Sequence, residues 1–253
     1  MTLVAVAVLF GLIVGSFLNV CIYRLPRKQS IVWPASRCTS CGRELAWFEN
    51  VPVFGWLALG GRCRTCRAPV SAMYPIVETV TGILFGAAMY WYGPTPLGVV
   101  RTAFGCAMIV LFVIDLQHRI LPNAITVTGI PIGFALSFFL PPGWRESLIG
   151  LVMGGGILWA IGEAYYRLRG IDGLGMGDVK MLAMIGAFLG WRLTLVTLIF
   201  ASFSGALAGG AVLASGRGGM KAALPFGTFL AVGAGVAAVA GEQLFTWYLS
   251  LYR

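Results

Sequence analysis

Eight stretches without a charged side chain run through this chain, at 2–23, 79–100, 102–114, 120–144, 147–162, 181–191, 193–216 and 222–241. A helix needs roughly 20 apolar residues to cross about 30 Å of hydrocarbon, so most of these stretches suit a bilayer. With 58% apolar and 11% charged residues and a mean hydropathy of +0.87, a soluble domain could not hide so much apolar surface. The expected fold is an all-α polytopic membrane protein with about eight transmembrane helices. The stretch 102–114 reaches spanning length only if Leu97 joins it and Arg101 snorkels at the outer end. The stretch 181–191, between Lys180 and Arg192, is either a short span or a re-entrant piece, which leaves seven crossings as the competing count.

Basic residues orient the array. If the N-terminus lies outside, fourteen of the 18 Lys and Arg residues fall in inner loops, leaving Arg101, Arg145, Arg192 and Arg253 outside. That is the positive-inside asymmetry, and a seven-span reading fits it less well because it moves Arg217 and Lys221 outside. Topology thus accounts for most of the net charge of +9, and nucleic-acid binding is not needed to explain it. Residues 2–23 have no basic segment before them and are read as a retained first helix, not a cleaved signal.

One polar insertion, at 24–75, interrupts the apolar pattern between the first two helices. It is too long for a plain connection and reads as a small folded module on the cytoplasmic side. Within it, Cys38 and Cys41 form one Cys-x-x-Cys pair, and Cys63 and Cys66 form another 21 residues further on. Two such knuckles supply four thiolates to a tetrahedral zinc ion, and a reducing cytoplasm disfavours disulfides. Reduced thiols or a redox pair are the alternatives. With all four positions filled by protein, the expected metal site is structural. Cys21 and Cys106 lie in apolar spans and read as packing residues.

Carboxylates are costly at membrane depth, and an ionisable group there is a functional-site hypothesis by default. Asp115 closes the apolar run 106–114, and Asp178 closes a glycine-rich turn through Gly173, Gly175 and Gly177. The 62 residues between them allow one helix out, a turn at Pro141-Pro142-Gly143 and one helix back, which puts both near the cytoplasmic face. Two carboxylates that meet share a proton, so one activates water while the other polarises a carbonyl. Alternatives remain at each position. Asp115 could pair with Arg119, and Asp178 with Lys180 or with its own helix dipole. The glycine turn also resembles a nucleotide-binding loop, but no strand precedes it. Glu78 is expected to complement the dipole of a helix begun by Pro75. His118 reads as a surface residue, Asp172 as an accessory carboxylate or turn former, and Glu163 as a partner of Arg167.

Several motifs occur in order: Gly15-Ser-Phe-Leu-Asn-Val20, Tyr23-Arg-Leu-Pro26, the paired cysteines, Asn50-Val-Pro52, Tyr74-Pro-x-Val-Glu78 with Thr81-Gly82, Asp115, Gly175-Met-Gly-Asp178-Val-Lys180 and Pro225-Phe-Gly227. Together they resemble the type IV prepilin peptidases, membrane aspartyl proteases of the GxGD type. The resemblance covers nearly the whole chain. It implies a bifunctional inner-membrane enzyme, for which the charge pattern above puts the N-terminus in the periplasm. Such an enzyme cleaves the leader of type IV prepilins and type II secretion pseudopilins at the cytoplasmic face, then N-methylates the new N-terminal residue with S-adenosylmethionine. It further implies Asp115 and Asp178 as the catalytic pair, Gly175, Gly177, Lys180 and Glu78 as supporting residues, and Cys38, Cys41, Cys63 and Cys66 as zinc ligands. The implied organisation is a first helix at 1–23, the cysteine module at 24–75 and a protease core at 76–253. The chain departs from the family pattern at Asn123 and Asp172, where many members carry aspartate and glutamate. The competing class is a proton- or cation-coupled transporter with a zinc regulatory module.

Overall fold

A computed structural model describes residues 1–170, 175–215 and 224–251. Their regular structure is helical apart from two isolated β-bridges. In chain order the helices are α1 (Thr2–Arg24), α2 (Phe54–Ala58), α3 (Met73–Tyr92), α4 (Pro96–His118), α5 (Asn123–Leu136), α6 (Trp144–Arg169), α7 (Met176–Ala214) and α8 (Phe226–Ser250). Five of them, α1, α4, α6, α7 and α8, are long and apolar enough to cross a membrane by length and composition. The protein is a multi-pass membrane protein. α7 is broken at Gly190, whose φ of 77° and ψ of 170° no helix interior adopts. Setting aside the short α2 and counting the two limbs of α7 separately gives eight helical segments among the described residues, as expected.

The boundaries depart from those expected. The stretch 79–100 is not one helix: α3 starts at Met73 and stops at Gly93 (φ 61°), and α4 starts at Pro96. Glycine takes the left-handed turn and Pro96 needs no hydrogen-bond acceptor at a first helical position. The Thr95 hydroxyl then accepts the Gly98 N–H at 3.2 Å, an N-cap. Leu97 does join this helix, while Arg101 lies in its second turn instead of at its end. The stretch 120–144 yields only 14 helical residues, with Pro131 inside them. α6 outruns its expected end at 162 and carries the Glu163–Arg167 ion pair, 2.7 Å, on its last turns.

The chain forms two compact units, Met1–Val110 and Leu111–Arg253. In the first, α1 and α3 run antiparallel with glycines at the crossing. A methyl group on Gly15 would meet the Glu78 backbone at 2.6 Å, and one on Gly86 would meet Val8 at 2.7 Å. The Asn19 amide donates to the Tyr74 carbonyl at 3.0 Å where α3 begins.

In the second unit the limbs of α7 form a hairpin. Gly154 of α6 lies against both the Leu182 carbonyl and Thr194, 2.7 and 3.1 Å from where its methyl would sit. Those two residues would lie roughly 18 Å apart in a straight helix, so the chain reverses at Gly190. The first limb passes antiparallel to α6, with Gly186 packed on the Gly150 carbonyl, and parallel to α5, with Met184 and Phe188 over Gly129 and Gly133. The second limb runs antiparallel to α8, where Gly233 faces Thr197 and Gly241 faces Leu193. Lacking a hydrophobic drive between helices in lipid, such bundles rely on this close backbone approach. The resulting directions bring the end of α4 and the starts of α5, α7 and α8 to one end of this unit.

Candidate functional site

Asp115 occupies the last turn of α4 and is 4% exposed. Its Oδ2 accepts two hydrogen bonds from Thr228, the backbone N–H at 2.7 Å and the hydroxyl at 3.1 Å. The local sequence explains the donors. Pro225 sets the start of α8, so Thr228 stands in the first turn, where backbone N–H groups have no intrahelical acceptor. An acidic side chain from another helix takes that acceptor role, at the end of α8 where the dipole favours negative charge. Gly227 makes the approach possible: a methyl group there would lie 3.1 Å from Asp115 Oδ2 and 2.9 Å from Leu121.

Asp178 stands in the first turn of α7, and its N–H bonds to the Gly175 carbonyl at 3.0 Å, which closes the entering turn. It lies within Coulombic reach of Asp115. The two glycines before it, Gly175 and Gly177, lie in close contact with their surroundings. A methyl on Gly175 would sit 3.2 Å from Asp178 Oδ2, and one on Gly177 would sit 3.1 Å from Leu121. Leu121, in the link between α4 and α5, therefore packs on both Gly177 and Gly227 and spaces the two helix starts around Asp115.

Neither alternative closes to a salt bridge among the described residues, although Arg119 lies within Coulombic reach of Asp115. Arg119 takes a left-handed turn (φ 55°) and bonds to the Asp115 backbone carbonyl at 2.8 Å through its N–H. Lys180 donates to Asn123 Oδ1 at 3.1 Å. Asn123, where the resemblance led to an aspartate being expected, thus holds a lysine two residues from Asp178. His118 is exposed, as expected. Asp172 and Gly173 lie outside the described residues, as do Arg217 and Lys221.

Glu78 belongs to the N-terminal unit and does not act as a first-turn dipole partner. It is the sixth residue of α3, buried, and accepts the Val53 N–H at 2.7 Å, with Ser16 and Asn19 also facing its carboxyl. Thr228, Leu121 and Gly227 are the residues that sequence reasoning did not assign to the site. The motif Pro225-Phe-Gly227 offered the one signal, a helix start with a small residue beside it.

The four cysteines converge as expected. All four sulfurs lie within 4.8 Å of one another, and Cys38 and Cys66 are 3.8 Å apart. An ideal tetrahedron with zinc–sulfur bonds of about 2.3 Å has edges of about 3.8 Å, so the donor set fits zinc. Each knuckle has the same turn. The Cys38 and Cys63 carbonyls accept the N–H groups of Gly42 and Arg67, both at positive φ, and the bridges Arg37–Glu44 and Arg62–Pro69 close the two loops. Backbone N–H groups of Cys66 and Thr65 face the Cys63 sulfur and lower its pKa to about 6; those of Cys41 and Ser40 lower that of Cys38. Thiolates, the form a metal takes, are favoured at Cys63 and Cys38, whereas at Cys66 the lowering by the Ala68 N–H is outweighed by burial and the neighbouring sulfurs, which push the thiol up to about 11. Glu49 braces the module from inside. It takes a bidentate pair from Arg43 at 2.9 and 2.8 Å and the Ala46 N–H at 2.8 Å, and the Arg43 hydrogen bonds hold its pKa at about 2.

Comparison with known proteins places these features in a family. Residues 9–92 match the bacterial peptidase A24 N-terminal domain, and residues 102–210 match the type IV leader peptidase family. The chain is 45% identical to a Myxococcus xanthus protein over 83% of its own length and 64% of that relative's. It is 36% identical to a Burkholderia pseudomallei protein, covering 90% of this chain and 82% of the relative. A Pseudomonas putida protein is 32% identical over 98% and 94% of the two lengths. All three relatives carry the name prepilin leader peptidase/N-methyltransferase. No solved structure matches the chain.

Proposed function

This chain belongs to the type IV leader peptidase family, and we propose that it cleaves the leader of prepilins and pseudopilins with Asp115 and Asp178 as its dyad, then N-methylates the new N-terminal residue. The observation that carries the reading is the buried Asp115, tied by one oxygen to the start of α8 and within Coulombic reach of Asp178 at the start of α7. Membership of a peptidase family also removes the transporter alternative.

The chemistry follows from two carboxylates holding one proton. The ionised member takes a proton from water as the hydroxide oxygen bonds to the scissile carbonyl carbon. The protonated member gives its proton to the carbonyl oxygen. As the gem-diol collapses, one of its hydroxyls returns a proton to the carboxylate that gave one, the C–N bond breaks, and the departing amine takes up the proton first drawn from water. Thr228 holds Asp115 Oδ2 throughout, which fixes where the other oxygen points. A prepilin anchored in the same bilayer presents its scissile bond at a set depth, and that confinement supplies orientation.

S-Adenosylmethionine supplies an electrophilic methyl group, for which the amine exposed by cleavage is the nucleophile. The four-cysteine site would hold zinc in a structural role, since protein fills every coordination position. The positive-inside pattern supports a bacterial inner membrane location, a periplasmic N-terminus and a dyad at the cytoplasmic face.

One assay tests the reading: purified protein, a prepilin and labelled methyl donor in detergent. The unsubstituted protein is expected to release the leader and label the mature pilin, whereas Asp115→Ala and Asp178→Ala leave the prepilin intact. Near-full cleavage by either variant would remove that residue from the dyad. Cleavage without label would leave a peptidase alone.

A further inference from the structure

The cysteine module meets α3 at a definite height. Glu78 lies roughly 8 Å along α3 from its first residue, and its carboxylate faces inward, accepting the Val53 N–H at 2.7 Å. On the outer side of the same turns, Ile76, Val80 and Ile83 form an exposed apolar stripe at helical spacing, the face a membrane helix gives to lipid. Val53 holds φ at 62°, a costly value for a β-branched residue, where the chain turns into α2 at the height of that hydrogen bond.

α2 starts at the next residue. Phe54 and Leu57, three apart and therefore on one face, are 64% and 59% exposed. The other face of this short helix is engaged: Gly55 sits against the Glu49 carbonyl, and the Trp56 indole N–H donates to the Val70 carbonyl at 3.0 Å. Two large apolar side chains thus project from a loop pinned at the height of an exposed apolar stripe on α3. The module's charge matches an anionic surface. Glu44 and Glu49 are paired with Arg37 and Arg43, while Arg27, Lys28, Arg62 and Arg67 have no salt-bridge partner among the described residues.

We propose that α2 is a membrane-interface anchor, with Phe54 and Leu57 seated at the headgroup–acyl boundary of an anionic bilayer and the neighbouring arginines on its phosphates. The anchor fixes the zinc module to the lipid surface at a third point besides its two chain connections. Its physics is that of an interfacial helix, in which apolar burial and attraction to anionic lipid act together.

Phe54→Trp and Leu57→Trp, each in the full chain reconstituted into phosphatidylglycerol–phosphatidylcholine vesicles, test the proposal. Subtracting the emission of the unsubstituted protein isolates the added indole. That emission should be lost with lipids brominated near the glycerol end of the acyl chain and largely survive aqueous iodide. Loss to iodide with no effect of brominated lipid would put the residues in water and overturn the proposal. Protection from both quenchers would mean that protein covers them, a second copy included, and would overturn it equally. Zinc content equal to that of the unsubstituted protein certifies an intact module. If one variant loses zinc, the other carries the test; loss by both would mean that these side chains are packed inside, which also defeats the anchor.

Discussion

Thr228→Val isolates one contact at the proposed dyad. Valine has nearly the same shape as threonine, so the substitution opens no cavity, and the 2.7 Å bond from the backbone N–H to Asp115 remains. What disappears is the hydroxyl bond at 3.1 Å. Hydrogen bonds to a charged group are worth about 1.5–3 kcal/mol, and this long one belongs near the lower end, which corresponds to roughly a tenfold fall in rate. The fall should appear in kcat with KM little changed, because the bond removed is one made to Asp115. Initial rates of leader release across a range of prepilin concentrations measure both constants. Thr228→Ser, which restores the hydroxyl, should recover most of the loss. A valine variant with unaltered kcat would refute the positioning role. A serine variant as slow as valine would assign the effect to the lost methyl packing instead.

Two further outcomes follow from packing and charge. Gly186→Ala would drive a methyl group into the Gly150 carbonyl, a backbone clash that neither helix relieves cheaply. Overpacking of this kind costs about 1–3 kcal/mol, so thermal unfolding in detergent should shift down, whereas Gly156→Ala, which faces open space, should leave it unchanged. Glu49→Gln should speed zinc loss to a chelator at neutral pH, because it removes the charge of the bidentate Arg43 pair; an unchanged rate would show that the pair does not brace the knuckles. The sign with pH is fixed by the lowered carboxyl pKa. In the unsubstituted protein that contribution is present above the ordinary glutamate value near 4.5 and is lost as pH falls through about 2.

How far the sequence carried depended on whether a feature is local. Cys38, Cys41, Cys63 and Cys66 were legible because a Cys-x-x-Cys turn is complete within a few residues, and only the meeting of the two turns needed folding. Asp115 and Asp178 were legible for a different reason: a carboxylate at the edge of an apolar span has few inexpensive explanations. Thr228 was not, since nothing within its own helix distinguishes its hydroxyl from that of Thr197, which bonds back to the Leu193 carbonyl at 2.8 Å. Its role exists only because the start of α8 lands on the end of α4, across 113 positions of sequence. Helix ends failed for a related reason. Counting uncharged residues located the spans, but Gly93 and Gly190 divide the chain by backbone conformation, which charge and hydropathy do not report. Glu78 combines both difficulties. Its place near a helix start suggested a dipole partner, yet its acceptor is used by Val53, an irregular residue whose position depends on α1, α3 and the cysteine module together. Residues whose chemistry is satisfied within one turn can therefore be read along the chain, whereas those that join elements, here Thr228, Leu121 and Glu78, acquire their roles only from the packing that brings their partners to them.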